Sequence, residues 1–282
     1  MMLSPDQLTA FQRDGFLHLQ GIFTRVEALR IRNQAEVLYE KEGDGPFDLD
    51  DDPKFGGNRP AIFHRFPQLR WVLFHRPLVD ALISLLGRDF VLMPSDVVLK
   101  SWYSDWHRDT NSPMYDGEDF FAAPGHSPVQ VAIYMQENGS TGGGLDVVPG
   151  SHHEVHRLLR LARITSIAKN TGFIRRQLAR LESQLLALQQ KMAERAHRAY
   201  TIPTRPGDVV IFDFGLLHRA TPRLPNADSG KYALFYSCTR NNASADIYYA
   251  YLRDKKARDR VSHYHFDGEM KAMARSAGFQ LR

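Results

Sequence analysis

Between Phe90 and Cys238 the chain carries six short apolar runs: Phe90–Met93, Val97–Lys100, Val129–Met135, Leu145–Val148, Asp208–Phe212 and Tyr232–Cys238. They are rich in β-branched and aromatic residues, and Gly, Pro, Asn and Asp punctuate the stretches between them. Short strands separated by turn chemistry pack as a β-sandwich or a jelly roll. Helices flank this region. Ser4-Pro5 is a helix start signal, with Leu8 and Phe11 on one face. Asp14-Gly15 turns the chain into a strand over Phe16–Leu19. A second helix runs from Thr24 with Val26, Leu29, Ile31, Ala35, Val37 and Leu38 as its apolar positions. A short helix over 77–87 carries Leu78, Leu82, Ile83 and Leu86 and stops at Gly87.

Residues 43–60 are crowded with Gly, Pro and Asp and read as a long loop, of the kind that forms functional flaps. Asp50-Asp51-Asp52 lacks the alternating ligands and distal Glu of a calcium loop and is expected to be solvated. A different interruption spans 154–200. There Ile174, Leu178, Leu181, Leu185, Leu188 and Met192 recur at spacings of 4, 3, 4, 3 and 4, a heptad stripe on a helix. The stripe is short for a coiled coil. Packing on its own barrel, as a lid over the site, is the preferred expectation over a dimer seam, and the chain is expected to be a monomer or a homodimer. The whole of 1–282 is read as one domain carrying this helical insertion.

A chain of 282 residues with a single cysteine, Cys238, has no internal disulfide and no Cys-x-x-Cys metal or redox motif. The start lacks a secretory signal pattern, and no run approaches the roughly 18 apolar residues of a membrane span, so a cytoplasmic location without membrane partners is expected. The net charge of +4 is spread along the chain. The clusters Arg175–Arg180 and Arg253–Arg260 read as solvated helix faces, not as a nucleic-acid surface. Such a charge helps to draw in small anionic substrates.

Three pieces carry chemistry: Trp106-His107-Arg108-Asp109, Gly142–His152, and Pro206–His218. On an extended strand His107 and Asp109 point the same way. A second His on a distant strand would complete the 2-His-1-carboxylate triad of non-haem Fe(II) oxygenases. Pro206-Gly207-Asp208 turns into an apolar strand with His218 just past its end, which supplies that ligand. His-Arg-Asp also occurs in kinase catalytic loops, but no glycine-rich nucleotide loop precedes it and no Asp-Phe-Gly follows.

The chain resembles the phytanoyl-CoA dioxygenase family of Fe(II)/2-oxoglutarate-dependent oxygenases. The resemblance rests on LTAFQRDGFLHLQGIF at 8–23, Trp-His-x-Asp, Asn138-Gly139…Pro149-Gly150-Ser151-His152, and Pro-Gly-Asp…His218. It covers roughly half the chain and implies a mainly β fold, a double-stranded β-helix (a cupin-like jelly roll) with flanking helices. It also implies that His107, Asp109 and His218 hold Fe(II), and that 2-oxoglutarate and O₂ are cosubstrates. Hydroxylation of a small-molecule substrate, with succinate and CO₂ as by-products, is the expected reaction. The family's halogenases lack the carboxylate ligand, so Asp109 favours hydroxylation.

The family's Arg for the distal carboxylate of 2-oxoglutarate would fall on Ser229. Aligning the following strand places Lys231 there instead, on one face with Ala233, Phe235 and Ser237. Arg223 and Arg219 are the next choices. Thr221 and Gln130 are further expected cosubstrate contacts, and Lys100 shares the ambiguity of Gln130. Arg59, His64, Arg65, Arg108 and Tyr115 are expected in flap loops, within reach of an anionic substrate, and His152 in a turn. The competing reading is a catalytically silent, or non-2-oxoglutarate, cupin-like metal-binding protein acting through its insertion.

Overall fold

The computed structural model describes residues 1–43, 58–101, 103–115, 118–122, 128–139, 142–155, 199–225, 231–254 and 265–282. The Asp50–Asp52 triplet, Trp102 and the heptad stripe of the expected 154–200 insertion lie outside the described residues.

Ser4 caps α1 (Pro5–Asp14) through a reciprocal capping box with Gln7. Gly15, at φ 81°, ends it and feeds β1 (Phe16–Leu19). Thr24 and Glu27 form a second capping box at the start of α2 (Arg25–Glu42). The buried stripe of α2 is Ala28, Ile31, Ala35, Leu38 and Tyr39. Val26, Leu29 and Val37 were expected on the apolar face but are exposed. Spacings of 3 and 4 select one side of a helix, and Ile31, Ala35 and Leu38 already define it.

Next come β2 (Asn58–Pro60), α3 (Ile62–Arg65), α4 (Arg76–Leu86) and β3 (Phe90–Lys100). The runs 90–93 and 97–100, expected as two strands, are one strand of 11 residues whose register shifts between Leu92 and Asp96. Pro94, which has no N–H to give, lies inside that irregularity. Asp96 makes use of it: its carboxylate accepts from Phe63 N at 2.9 Å and its carbonyl from Ala61 N at 2.8 Å. Burial pushes the Asp96 carboxyl up to about 6. The chain continues through α5 (Asn111–Tyr115), β4 (Val129–Tyr134), β5 (Leu145–Val147), β6 (Tyr200–Ile202), β7 (Val209–Asp213), β8 (His218–Ala220) and β9 (Tyr232–Thr239). It ends with α6 (Ala243–Asp254), α7 (Gly268–Ala277) and β10 (Phe279–Leu281). The sequence reading passed over α7, whose signals are an Asp267 N-cap that accepts from Met270 N and a left-handed Gly278 at its end.

The large sheet runs β1-β7-β4-β9-β3-β10, with β2 also on β3; the small sheet is β6-β5-β8. Residues alternate between two interiors. Val131, Ile133, Val209, Ile211, Leu234 and Tyr236 face the helices. Ala132, Tyr134, Val210, Phe212 and Ala233 face the small sheet and meet Leu145, Val147 and Ile202. A strand buried on both faces must be apolar throughout, which is why these runs show no polar alternation. The arrangement is the jelly roll that the strand pattern implied. Among the described residues, no helix is long and apolar enough to cross a membrane.

Candidate active site

Between the two sheets lies a cavity of about 130 Å³, and its lining includes His107, Asp109, His218, Gln130, Tyr134 and Lys231. Two turns position strands that line it. In the first, Gly207 adopts φ 94°, and a Cβ there would lie 2.1 Å from Phe23 O, so only Gly fits. Asp208 holds this turn by accepting from His18 Nε2, Gly21 N and Arg205 N at 2.8–3.0 Å. From there β7 runs into the site. In the second, the Asp213 carboxylate accepts from Gly215 N at 2.7 Å and swings the chain back, so that His218 opens β8. Ser151 of the Pro-Gly-Ser-His turn supports this return, its hydroxyl accepting from Leu217 N at 2.8 Å. His152 lies in that turn as expected, 3.1 Å from Gln12 O.

His107 is held by a β-bridge to His218, with His107 N donating to His218 O at 2.8 Å and His218 N to His107 O at 3.0 Å. It does not sit on a regular strand, as the His-x-Asp spacing led one to expect. The bridge nonetheless brings the two imidazoles to 4.3 Å between centroids. Nε2 of each lies 3.9 Å from Asp109 Oδ1. Ligand atoms of all three residues fall within 4.8 Å of one another.

The ring orientations are fixed from behind. His107 Nδ1 lies 2.7 Å from Asp105 O, and His218 Nδ1 lies 2.9 Å from Leu216 O. A carbonyl only accepts, so each Nδ1 carries a proton, and Nε2 is the ring atom of each that faces Asp109. Burial, and then the neighbouring His107, hold the His218 imidazole well below its ordinary value, in the neutral form that binds metal. Burial also pushes the Asp109 carboxyl up to about 6, against the pull of His107. Asp109 Oδ2 is buried with no hydrogen-bond partner among the described residues. Two imidazole nitrogens and an under-satisfied carboxylate converging on one point fit a divalent cation.

Lys231 immediately precedes β9 and is 4% exposed, so it is not the surface lysine that a strand start usually carries. Its ammonium lies over the Tyr103 ring at 5.5 Å. Burial alone lowers its pKa to about 7. Gly143, at φ 79°, packs on its stem: a Cβ there would lie 2.6 Å from Lys231 Cδ. The glycine run thus leaves room for the lysine to lie across the small sheet. Of the other expected cosubstrate contacts, Gln130 lines the cavity and its buried Oε1 has no hydrogen-bond partner among the described residues. The Thr221 hydroxyl instead donates to Asp146 Oδ1 at 2.7 Å. Arg219 Nε donates to Asp146 Oδ2 at 2.9 Å, with the guanidinium over Trp106. Arg223 is exposed. Lys100 lies outside the cavity, against the Tyr39 and Tyr232 rings.

Three expected flap residues are built into the frame instead. Arg108 is 2% exposed; its Nε donates to Gly215 O at 3.0 Å and it pairs with Glu154, tying the His107 segment to the His218 loop. Arg59 is 1% exposed and pairs with Glu42. His64 packs against Phe266, with ring centroids 3.8 Å apart and the planes tilted by 33°. Sequence alone missed Tyr134, which alternation along β4 places on the cavity side with Gln130 and Ala132.

The sequence profile of the phytanoyl-CoA dioxygenase (PhyH) family matches residues 11–226. An ectoine dioxygenase of Sphingopyxis alaskensis is 25% identical over 254 residues, spanning 85% of this chain and 77% of that protein. The crystal structure of EctD from S. alaskensis with 2-oxoglutarate and 5-hydroxyectoine superposes with a TM-score of 0.60 at 19% identity, covering 84% of this chain and 76% of that one. The non-haem α-ketoglutarate-dependent carbocyclase SnoK from nogalamycin biosynthesis gives 0.58 at 18% identity, with 84% of each chain covered.

Proposed function

The chain belongs to the phytanoyl-CoA dioxygenase family of non-haem Fe(II)/2-oxoglutarate-dependent dioxygenases, and from that premise we propose that it hydroxylates a small organic molecule while converting 2-oxoglutarate to succinate. His107, Asp109 and His218 are the residues that would hold iron. Lys231 would take the distal carboxylate of 2-oxoglutarate, with Gln130 alongside. The observation that carries this reading is that one cavity has both the His-Asp-His cluster and a buried lysine in its lining. O₂ is the oxidant; bound iron(II) would activate it while 2-oxoglutarate gives up two electrons on decarboxylation, so that one oxygen atom enters succinate, the other enters the substrate, and CO₂ is released.

The chain's own residues bind, orient and shield. The carbonyls of Asp105 and Leu216 keep the two imidazoles in the tautomer that presents Nε2. Val97, Leu99, Leu145, Phe212 and Phe235 make the walls apolar and keep bulk water from the reacting centre. The ammonium of Lys231 fixes one end of a dicarboxylate, which sets the direction in which its keto acid end points. The ectoine dioxygenase relative supports a small polar substrate. A panel of small polar metabolites, incubated with enzyme, iron(II), 2-oxoglutarate and O₂, is expected to contain a compound that gains one oxygen atom in step with succinate formation. Succinate released at an equal rate with and without every compound, and no mass gain, would count against hydroxylation of this substrate class.

A further inference from the structure

Tyr134 is fully buried, and its hydroxyl has no hydrogen-bond partner among the described residues. An unpartnered buried hydroxyl costs stability, so a native structure that keeps one asks for a reason. The side chain lines the same cavity as Lys231. Tyr134 stands opposite Ala233 in the ladder between β4 and β9, and Ala233 is two residues from Lys231, so all three share the inner face. The nearby acceptor, Asp146, is already engaged: Oδ1 accepts from the Thr201 and Thr221 hydroxyls and Oδ2 from Arg219.

We propose that the Tyr134 hydroxyl is a second donor to the distal carboxylate of 2-oxoglutarate, acting beside Lys231; this rests on the cosubstrate reading given above. A carboxylate presents two oxygens. An arginine fork would meet both, whereas an ammonium is a single point charge. With lysine at this position, the second oxygen needs another donor, and the phenol is buried, apolar-walled and aimed into the same space. Burial, and then the charge of Asp146, raise the phenol's pKa, so it stays a neutral donor at any physiological pH. Phe at this position would keep the packing and lose only the donor.

The test uses full-length protein loaded with Mn(II), and compares calorimetric affinities for 2-oxoglutarate and for 2-oxobutyrate, which keeps the chelating head and lacks the distal carboxylate. Tyr134→Phe is expected to weaken 2-oxoglutarate binding about tenfold, the worth of one hydrogen bond to a charged group. It is expected to leave 2-oxobutyrate affinity unchanged and to leave the melting temperature unchanged or raised. Equal loss for both ligands would mean a packing role and would overturn the proposal, as would no loss for either. Lys231→Ala, measured in parallel, separates the two layers. If it leaves 2-oxoglutarate affinity intact, the cosubstrate reading of this cavity fails; if it weakens binding while Tyr134→Phe does not, only the role of Tyr134 fails.

Discussion

His218→Ala is expected to lower Fe(II) affinity by more than about a hundredfold and to take succinate formation to background. Loss of a partner that merely orients a metal-bound His costs about 10–100-fold in affinity, and loss of the ligand itself costs more. His218 is the sharpest position to test because it is buried, sits across the bridge from His107, and has its Nδ1 committed to Leu216 O. Its burial disfavours the imidazolium, so its removal leaves no buried charge unpaired. Circular dichroism of the variant is therefore expected to match the parent. Calorimetric titration with Fe(II) under argon measures the affinity, and near-parental binding would remove His218 from the metal site.

The second large effect is expected at Lys231. Removing one partner of a buried charge pair costs about 3–5 kcal/mol; with water entering the truncated site, Lys231→Ala is expected to raise the 2-oxoglutarate KM by about tenfold or more. The pH dependence follows from burial. With a pKa of about 7, the amine is protonated below neutrality and loses its charge as the pH rises through 7. A dianion needs the cation, so wild-type affinity for 2-oxoglutarate is expected to fall about tenfold between pH 6.5 and 8.5 in the metal-loaded protein. Tyr103 lies against this amine and Tyr134 lines the same cavity; burial raises the pKa of both phenols, so neither titrates in that window. Lys231→Arg keeps its charge and is expected to flatten the profile. For the ligand-free protein the sign reverses. A lysine whose folded pKa lies below its unfolded value of about 10.4 opposes folding fully below pH 7, and that opposition fades as the pH climbs toward 10. A pH-independent wild-type affinity would show that Lys231 does not carry the contact.

The His-Asp-His cluster was legible in the sequence because metal-ligating chemistry demands particular residue types, and the structure brings His107, Asp109 and His218 together. The strands β4, β7 and β9 were legible as apolar runs, and their alternation was not. Both faces are buried, so nothing in the composition tells the inner face from the outer; pairing does. Lys231 was placed by strand face, but its burial depends on Gly143 lying against its stem, a contact between residues 88 positions apart. Arg108 and Arg59 show the opposite failure. Arginine in a loop-like stretch reads as surface, yet both are buried by bonds to Gly215 O and Glu42 that no local pattern announces. Gly142, Ser151 and Asp208 shape the site through the backbone: a Cβ on Gly142 would lie 2.2 Å from Pro222 O, and the Ser151 and Asp208 side chains accept from backbone N–H groups.

The central claim is that one cavity joins the His-Asp-His cluster to a 2-oxoglutarate site, and anaerobic visible absorption tests it most directly. Fe(II) and 2-oxoglutarate added together are expected to give a weak charge-transfer band that saturates at about one equivalent of each. Neither alone gives it, His218→Ala abolishes it, and Lys231→Ala shifts its half-saturation to higher 2-oxoglutarate. A protein that binds both Fe(II) and 2-oxoglutarate by calorimetry yet shows no band would contradict the account, because the two would then occupy separate sites.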